Sequence, residues 1–337
     1  MREHGKRVRM IDIAVRAGVS RGTVSAVLNG NCNGIRYSKE KAELIRQIAR
    51  ELDYIPNFSA RVLNHQPSKT IGMQIDSEES ESHFLLLRAV EREAEQAGYR
   101  LLTAGAHDNP EQQRLNYRTL RQYGVDAVIC HSGAFHDALD DDGKTVLFST
   151  EPCPELPCVV QDIGAGFASA IDHFRREGRR NIAMVTSGHL QFGPVRSRHR
   201  AFARLAPEAG RNVYTLDVSG IDPTGLREKV ARMLDEFLLP RRIDAVLLQN
   251  DAWALTLLGL LESRGLRAPR DISIVGYDNT FVGNCSTPSL STIDSCFGAC
   301  GRALVELALE RIRNPEAPPR SVVVNTVFIP RESTLTL

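Results

Sequence analysis

Several absences narrow what this 337-residue chain can be. No apolar run approaches the roughly 20 residues that span a bilayer. The first residues carry Arg2, Lys6, Arg7 and Arg9 with no apolar stretch behind them, so neither a membrane protein nor a secreted one is expected, and the expected compartment is the cytoplasm. Seven cysteines, at 32, 130, 153, 158, 285, 296 and 300, form no Cys-x-x-Cys, and none has a histidine at zinc-finger spacing. Reduced thiols are expected, with no metal site. A dinucleotide fold would need Gly-x-Gly-x-x-Gly between strand and helix; Gly164-Ala165-Gly166 comes nearest but has Ser169 in place of the third glycine. Walker and His-Glu-x-x-His motifs are missing as well. No catalytic residue, cofactor or metal ligand is therefore assigned.

What is present is uneven. Residues 1–65 hold 12 Lys and Arg against 6 Asp and Glu, while the remainder holds 30 against 35. A basic module on a mildly acidic body fits nucleic-acid binding confined to one end, and the length suggests two or three domains. In the basic end, Ile13, Ala14 and Ala17 fall at helical spacing, Gly18-Val19 interrupts, and Val24, Val27 and Leu28 resume the spacing after Ser20, a good N-cap. Two short helices on a tight glycine turn make a helix-turn-helix whose second helix can lie in a major groove. Arg21, Gly22, Ser25 and Ala26 are left to face outward, and Arg21 offers the bidentate geometry that suits guanine. Residues 30–37, rich in Gly and Asn, read as a loop that brings Arg36 and Tyr37 to phosphates beside that helix. Ser38 then opens a third helix with Ile45, Ile48, Ala49 and Leu52 as its apolar stripe, and Ile55-Pro56 ends it. A short helical segment, Phe58 to Asn64, and a polar linker follow.

From Thr70 onward β and α signals alternate. Strand-like runs occur at 70–75, 100–104, 127–130, 146–148 and 159–160, then again at 182–186, 213–216, 245–248 and 272–275, with helical stretches between. Such alternation implies parallel sheets covered on both faces. Two sets imply two doubly wound lobes with a ligand crevice at the carboxyl ends of the strands.

The order Ala14-x-x-Ala17-Gly18-Val19-Ser20-x-x-Thr23-Val24-Ser25-x-Val27-Leu28-Asn29, followed by Tyr54-x-Pro56-Asn57-x-x-Ala60-Arg61-x-Leu63, resembles the LacI/GalR family of bacterial transcriptional regulators. The likeness continues through almost the whole chain. It implies a small all-α helix-turn-helix domain over 1–57, a hinge helix and linker over 58–69, and a two-lobed α/β core like the periplasmic binding proteins over 70–337. Lobe one would take about 70–163 and 294–329, with the strand Val322–Phe328 returning to it, and lobe two about 164–290. By resemblance, DNA is met by Ser20, Arg21, Gly22, Thr23, Ser25, Ala26 and Asn29, and by Asn57, Ala60, Arg61 and Leu63 of the hinge, Leu63 as a minor-groove wedge.

Three further stretches look like the family's effector pocket: Arg198-His199-Arg200-Ala201-Phe202, Asn250-Asp251-x-x-Ala254, and Asp271 to Asn279. Arg198, Asn250 and Asp278 would fix hydroxyls or a planar polar group, with Phe297 as an apolar wall. The first-lobe side departs from the family: Asp76-Ser-Glu-Glu-Ser-Glu-Ser-His83-Phe84 stands where Asp-x-x-Asn-Pro-Phe is usual, leaving His83 and Phe84 as candidate contacts. The resemblance implies a repressor acting as a homodimer on a pseudo-palindromic operator, controlled by a small molecule, a sugar or sugar derivative by the chemistry of these side chains. The alternatives, a stand-alone solute-binding protein or an enzyme on the same core, leave the basic helix-turn-helix without a purpose.

Overall fold

The computed structural model describes residues 8–29, 34–54, 67–75, 81–105, 109–131, 143–188, 193–210, 212–216 and 223–335. They belong to two units, Met1–Gln66 and Pro67–Leu337.

The first unit holds α1 (Met10–Ala17), α2 (Arg21–Asn29) and α3 (Lys39–Glu51). Gly18, at φ 62° and ψ 42°, turns its N–H back onto the carbonyls of Ala14 and Val15 and so closes α1. Ser20 Oγ accepts from the Thr23 N–H at 3.1 Å, capping α2, and Ser38 accepts from the Lys41 N–H to cap α3. The apolar stripes meet in one core of Ile13, Ala14, Ala17, Val24, Val27, Ala42, Ile45 and Ile48. Each larger aliphatic there contributes roughly 1.5–3 kcal/mol by leaving water. The hinge segment 58–64, with Asn57, Ala60, Arg61 and Leu63, lies outside the described residues.

Among the described residues the second unit contains two six-stranded sheets. The first is built from β1 (Thr70–Ile75), β2 (Arg100–Gly105), β3 (Ala127–His131), β4 (Thr145–Ser149), β5 (Cys158–Asp162) and β11 (Ser321–Asn325), in the order β11-β5-β4-β3-β1-β2. The second takes β6 (Ile182–Ser187), β7 (Val213–Leu216), β8 (Ala245–Leu248), β9 (Ser273–Tyr277), β10 (Ser291–Asp294) and β12 (Val327–Ile329), in the order β12-β10-β9-β8-β6-β7. All pairings are parallel except β10 with β12. Runs such as Ile182–Ser187 and Ser273–Tyr277 are buried along their whole length, as expected of strands with helices on both faces. On the first sheet those helices are α4 (Glu81–Gln96), α5 (Pro110–Gln122) and α11 (Phe297–Arg313); on the second they are α6 (Ile163–Arg176), α7 (Gly193–Leu205), α8 (Pro223–Met233), α9 (Asp251–Ser263) and the short α10 (Phe281–Cys285).

Among the described residues the chain passes between the sheets after β5, after β10, and between β11 and β12. The last passage corrects the reading of Val322–Phe328 as one strand of lobe one. It divides at Thr326: β11 pairs with β5, while β12 pairs antiparallel with β10. Thr326 turns inward there. Its Oγ1 donates to the Asp162 carbonyl at 2.9 Å and accepts from the Gly166 N–H at 3.0 Å, so two passages are pinned by one hydroxyl. Gly166 permits this approach, since a Cβ at that position would stand 2.5 Å from Ile293 Cγ2 and 2.7 Å from Thr326 Oγ1. Gly166→Ala should therefore destabilise the core by about 1–3 kcal/mol, seen as an earlier unfolding midpoint in urea. An unchanged midpoint would mean that the crossing can relax around a methyl group.

Candidate DNA-reading helix and effector crevice

On the first unit, Ser20, Arg21 and Gly22 are exposed, while Thr23 and Ser25 are half-buried. The Thr23 hydroxyl lies 2.9 Å from Ser20 Oγ, so the cap and the candidate contact share one hydrogen bond. Arg36 is exposed, whereas the Tyr37 ring packs partly on the three-helix core. Asn29 closes α2. Ala26 departs from expectation: it is 1% exposed and does not face outward. One helical turn earlier on the same face is Gly22. Ile35 folds over Gly22, where an added Cβ would meet Ile35 Cδ1 at 3.2 Å. Ile35 thus lies against part of the face that the helix period alone left open. The close approach found at Gly22 is to Ile35.

In the second unit, lobe two gathers its polar groups at the carboxyl ends of β8 and β9. Arg198, on α7, is 9% exposed. Its Nη1 donates to the Gln249 carbonyl at 2.9 Å, and its guanidinium carbon lies 3.9 Å from the centre of the Tyr277 ring. A cation stacked on an aromatic face is oriented as well as stabilised. Its Nε is buried and has no hydrogen-bond partner among the described residues. The Tyr277 hydroxyl, beside Ser295 and Arg198, forms no well-shaped hydrogen bond, and burial pushes its pKa up to about 12.

Asp278 follows directly, 4% exposed and at φ 94°, in the left-handed region that side chains avoid unless held there. The holding groups are explicit. Ser295 Oγ donates to Asp278 Oδ1 at 2.7 Å, and the Asp278 N–H donates to the Ile293 carbonyl at 2.8 Å. Asn279, also at positive φ, is gripped by Asp294 and by Arg331. Thr280 donates its N–H (2.6 Å) and hydroxyl (2.9 Å) to Asp251 Oδ2, and Thr292 donates to Asp251 Oδ1 at 2.7 Å. Burial raises the Asp251 pKa, while those three donors pull it back toward the ionised form. Asn250 is the N-cap of α9, its side-chain oxygen accepting from the Trp253 N–H at 3.0 Å. Its amide nitrogen is what remains for a ligand. Trp253 itself is part of the lobe-two core.

From lobe one, His83 packs edge-on against His131 with ring centroids 4.6 Å apart, and His131 lies 5.3 Å from Phe148. Burial first, and then His83 beside it, hold the His131 pKa well below the usual imidazole value. Phe84 is 72% exposed and takes no part in this cluster. Phe297 opens α11 and leans on the lobe-one core. The six described cysteines are free, and burial pushes the thiol pKa values of Cys158 and Cys300 up to about 12.

Residues 9–57 match the model for bacterial regulatory proteins of the lacI family, and residues 171–334 match that for a periplasmic binding protein-like domain. The HTH-type transcriptional repressor PurR of Erwinia tasmaniensis is 28% identical over 342 residues, covering 96% of this chain and 95% of that protein. The chain belongs to the LacI/GalR family of bacterial transcriptional regulators. Among solved structures, the lac repressor dimer bound to operator and the anti-inducer ONPF matches the regulator with a TM-score of 0.83 at 23% identity, over 98% of this chain and all of that one. The transcriptional regulator CelR in complex with cellobiose matches with a TM-score of 0.67 at 22% identity, over 97% of this chain and all of that one. These two likenesses concern the fold.

The residue pattern did not single out Tyr277, Ser295, Gln249 or His131 in the regulator. Tyr277 lies inside the Asp271–Asn279 stretch and Gln249 directly before Asn250, so their neighbourhood is visible in the sequence. Ser295 and His131 carry no local signal, because only the sheet order brings them to a strand end beside their partners. A pH test follows from His131. Unfolded histidine takes a proton near pH 6.5, but the folded group does so only at lower pH, so its contribution is fully present above about 6.5 and is lost as pH falls through the folded value. Lowering the pH from 7.5 to 5.5 should destabilise the regulator, and His131→Gln should lose less over the same interval, by up to about 1.4 kcal/mol per pH unit. Parallel stability–pH curves for the two proteins would show that His131 titrates normally.

Proposed function

We propose that this regulator is a repressor that binds a pseudo-palindromic operator as a homodimer, releasing or gripping it according to a small molecule held between the lobes at Arg198, Asn250 and Asp278. The observation that carries this reading is the bonding of Ser295. Its hydroxyl holds Asp278 at 2.7 Å, while its carbonyl accepts from Gln161 Nε2 of lobe one at 2.9 Å. A ligand that engages Asp278 therefore acts on the residue that joins the two lobes beside a chain crossing. Differential binding to two lobe arrangements is what shifts operator affinity.

A sugar or sugar derivative suits the crevice. Arg198 has an unsatisfied Nε and a Tyr277 face beneath it, and Asp278 and Asn250 can accept from and donate to adjacent hydroxyls. His83 and Phe297 are the further contacts proposed, with Phe84 at the rim. Dimerisation supplies two reading helices, since one contacts too few bases for firm binding. Phe281 and Val282, 80% and 54% exposed on α10, provide apolar surface for the second copy.

On the DNA side, Arg21 reads a base and Arg36 meets phosphate. Arg21→Ala should remove about 1–3 kcal/mol of discrimination at one base pair of each half-site; identical binding sites selected by mutant and wild type would reduce Arg21 to a phosphate contact. For the crevice, a thermal-shift screen against sugars, nucleobases and amino acids identifies the effector. Asp278→Asn should then abolish the response to that compound while operator binding persists. A full response in both Asp278→Asn and Arg198→Ala would place the effector elsewhere.

A further inference from the structure

Helix α7 makes a second set of contacts that the effector crevice does not use. Arg198 turns toward Tyr277, but its neighbours Arg196, Ser197 and Arg200 reach across to lobe one. Arg200 Nη1 lies 3.0 Å from Glu151 Oε1, Arg196 Nη2 lies 3.7 Å from Glu151 Oε2, and Ser197 Oγ lies 2.9 Å from Thr150 Oγ1. Thr150 and Glu151 sit on the segment between β4 and β5, and that segment is anchored. Cys153 and Leu156 are buried in the lobe-one core, the Ser149 hydroxyl accepts from the Glu151 N–H at 3.1 Å, and the Cys158 thiol reaches the Glu151 carbonyl. The carboxylate is thus carried on a stiff hook.

We propose that Glu151 is a positioning residue that clamps α7, the helix presenting Arg198, to the opposite lobe and thereby sets how often the lobes close when no effector is bound. The proposal rests on α7 as the effector-binding helix. A half-exposed ion pair alone stabilises little. Here one carboxylate serves two arginines spaced one helical turn apart, beside a hydroxyl pair, so the closing equilibrium moves by several-fold. Such a shift matters in a switch, because an effector has to overcome whatever bias the empty protein already has.

Disulfide trapping across the lobes tests this without effector or operator, so its failure is separate from any failure of the effector assignment. In the full chain carrying Thr150→Cys and Ser197→Cys, the distance between the side-chain oxygens suits a disulfide after a small adjustment. The rate at which the 150–197 link forms under mild oxidation, identified by peptide mapping and divided by each thiol's reactivity toward a small alkylating reagent, reads the closed population. Glu151→Gln should slow it about threefold. Glu151→Arg, which sets like charges against each other, should slow it about tenfold, and adding Arg196→Glu and Arg200→Glu to Glu151→Arg should restore it. Raising salt should slow trapping only when the charges are complementary. Equal rates in all these proteins, or no recovery on charge reversal, would overturn the proposal.

Discussion

Several residues bond from one lobe to the other near the chain crossings. Ser295 is the one on which the rest depends. It follows β10 where the chain leaves lobe two, it is fully buried, and it spends its hydroxyl on Asp278 and its carbonyl on Gln161. Hydrogen bonds to charged groups are stronger than neutral ones, and in a buried setting neither partner can exchange the bond for water without cost. The crevice aspartate and the lobe-one glutamine are therefore linked through a single residue. In the proposed function, a ligand that engages Asp278 acts on this joint, next to the crossing.

The surroundings explain why the joint can hold an uncommon backbone. Asp278 and Asn279 both lie at positive φ, which costs on the order of 1–3 kcal/mol per residue for non-glycine side chains. The cost is offset by a dense set of donors and acceptors: Asp251 takes three hydrogen bonds from Thr280 and Thr292, and Asn279 is held from both sides by Asp294 and Arg331. Packing adds to the constraint. A Cβ at Gly276 would stand 2.2 Å from Asp251 Oδ1, so strand β9 can approach α9 that closely only through glycine. Held this firmly by its neighbours, Asp278 keeps one orientation, as the proposed ligand contact requires.

The same economy appears in the reading domain. Ser20 caps α2 and also pairs with the Thr23 hydroxyl, so the helix start and the candidate DNA face use the same atoms. Ile35 packs over Gly22, and Arg21 stands exposed at the start of α2.

The sequence by itself determined the local elements and the chemistry available to them. The 3.6-residue spacing of Ile13, Ala14 and Ala17, and of Val24, Val27 and Leu28, defines two helices wherever the chain goes. Gly18 and Ser20 fix the turn between them, because backbone freedom at one and a capping oxygen at the other act over three or four residues. The apolar runs from Thr70 onward likewise defined strands and placed Asn250 and Asp278 at strand ends and Arg198 on the helix that follows a strand. Tertiary structure decided everything that depends on distant partners. Ala26 is buried and Ile35 comes back over Gly22, the last strand divides because Thr326 bonds Asp162 and Gly166, and His131 meets His83 and Phe148 because β3 and β4 are neighbours under α4. None of these has a local signal. Burial, register and pairing across a sheet are properties of two or more segments at once, and a pattern read along one segment cannot contain them.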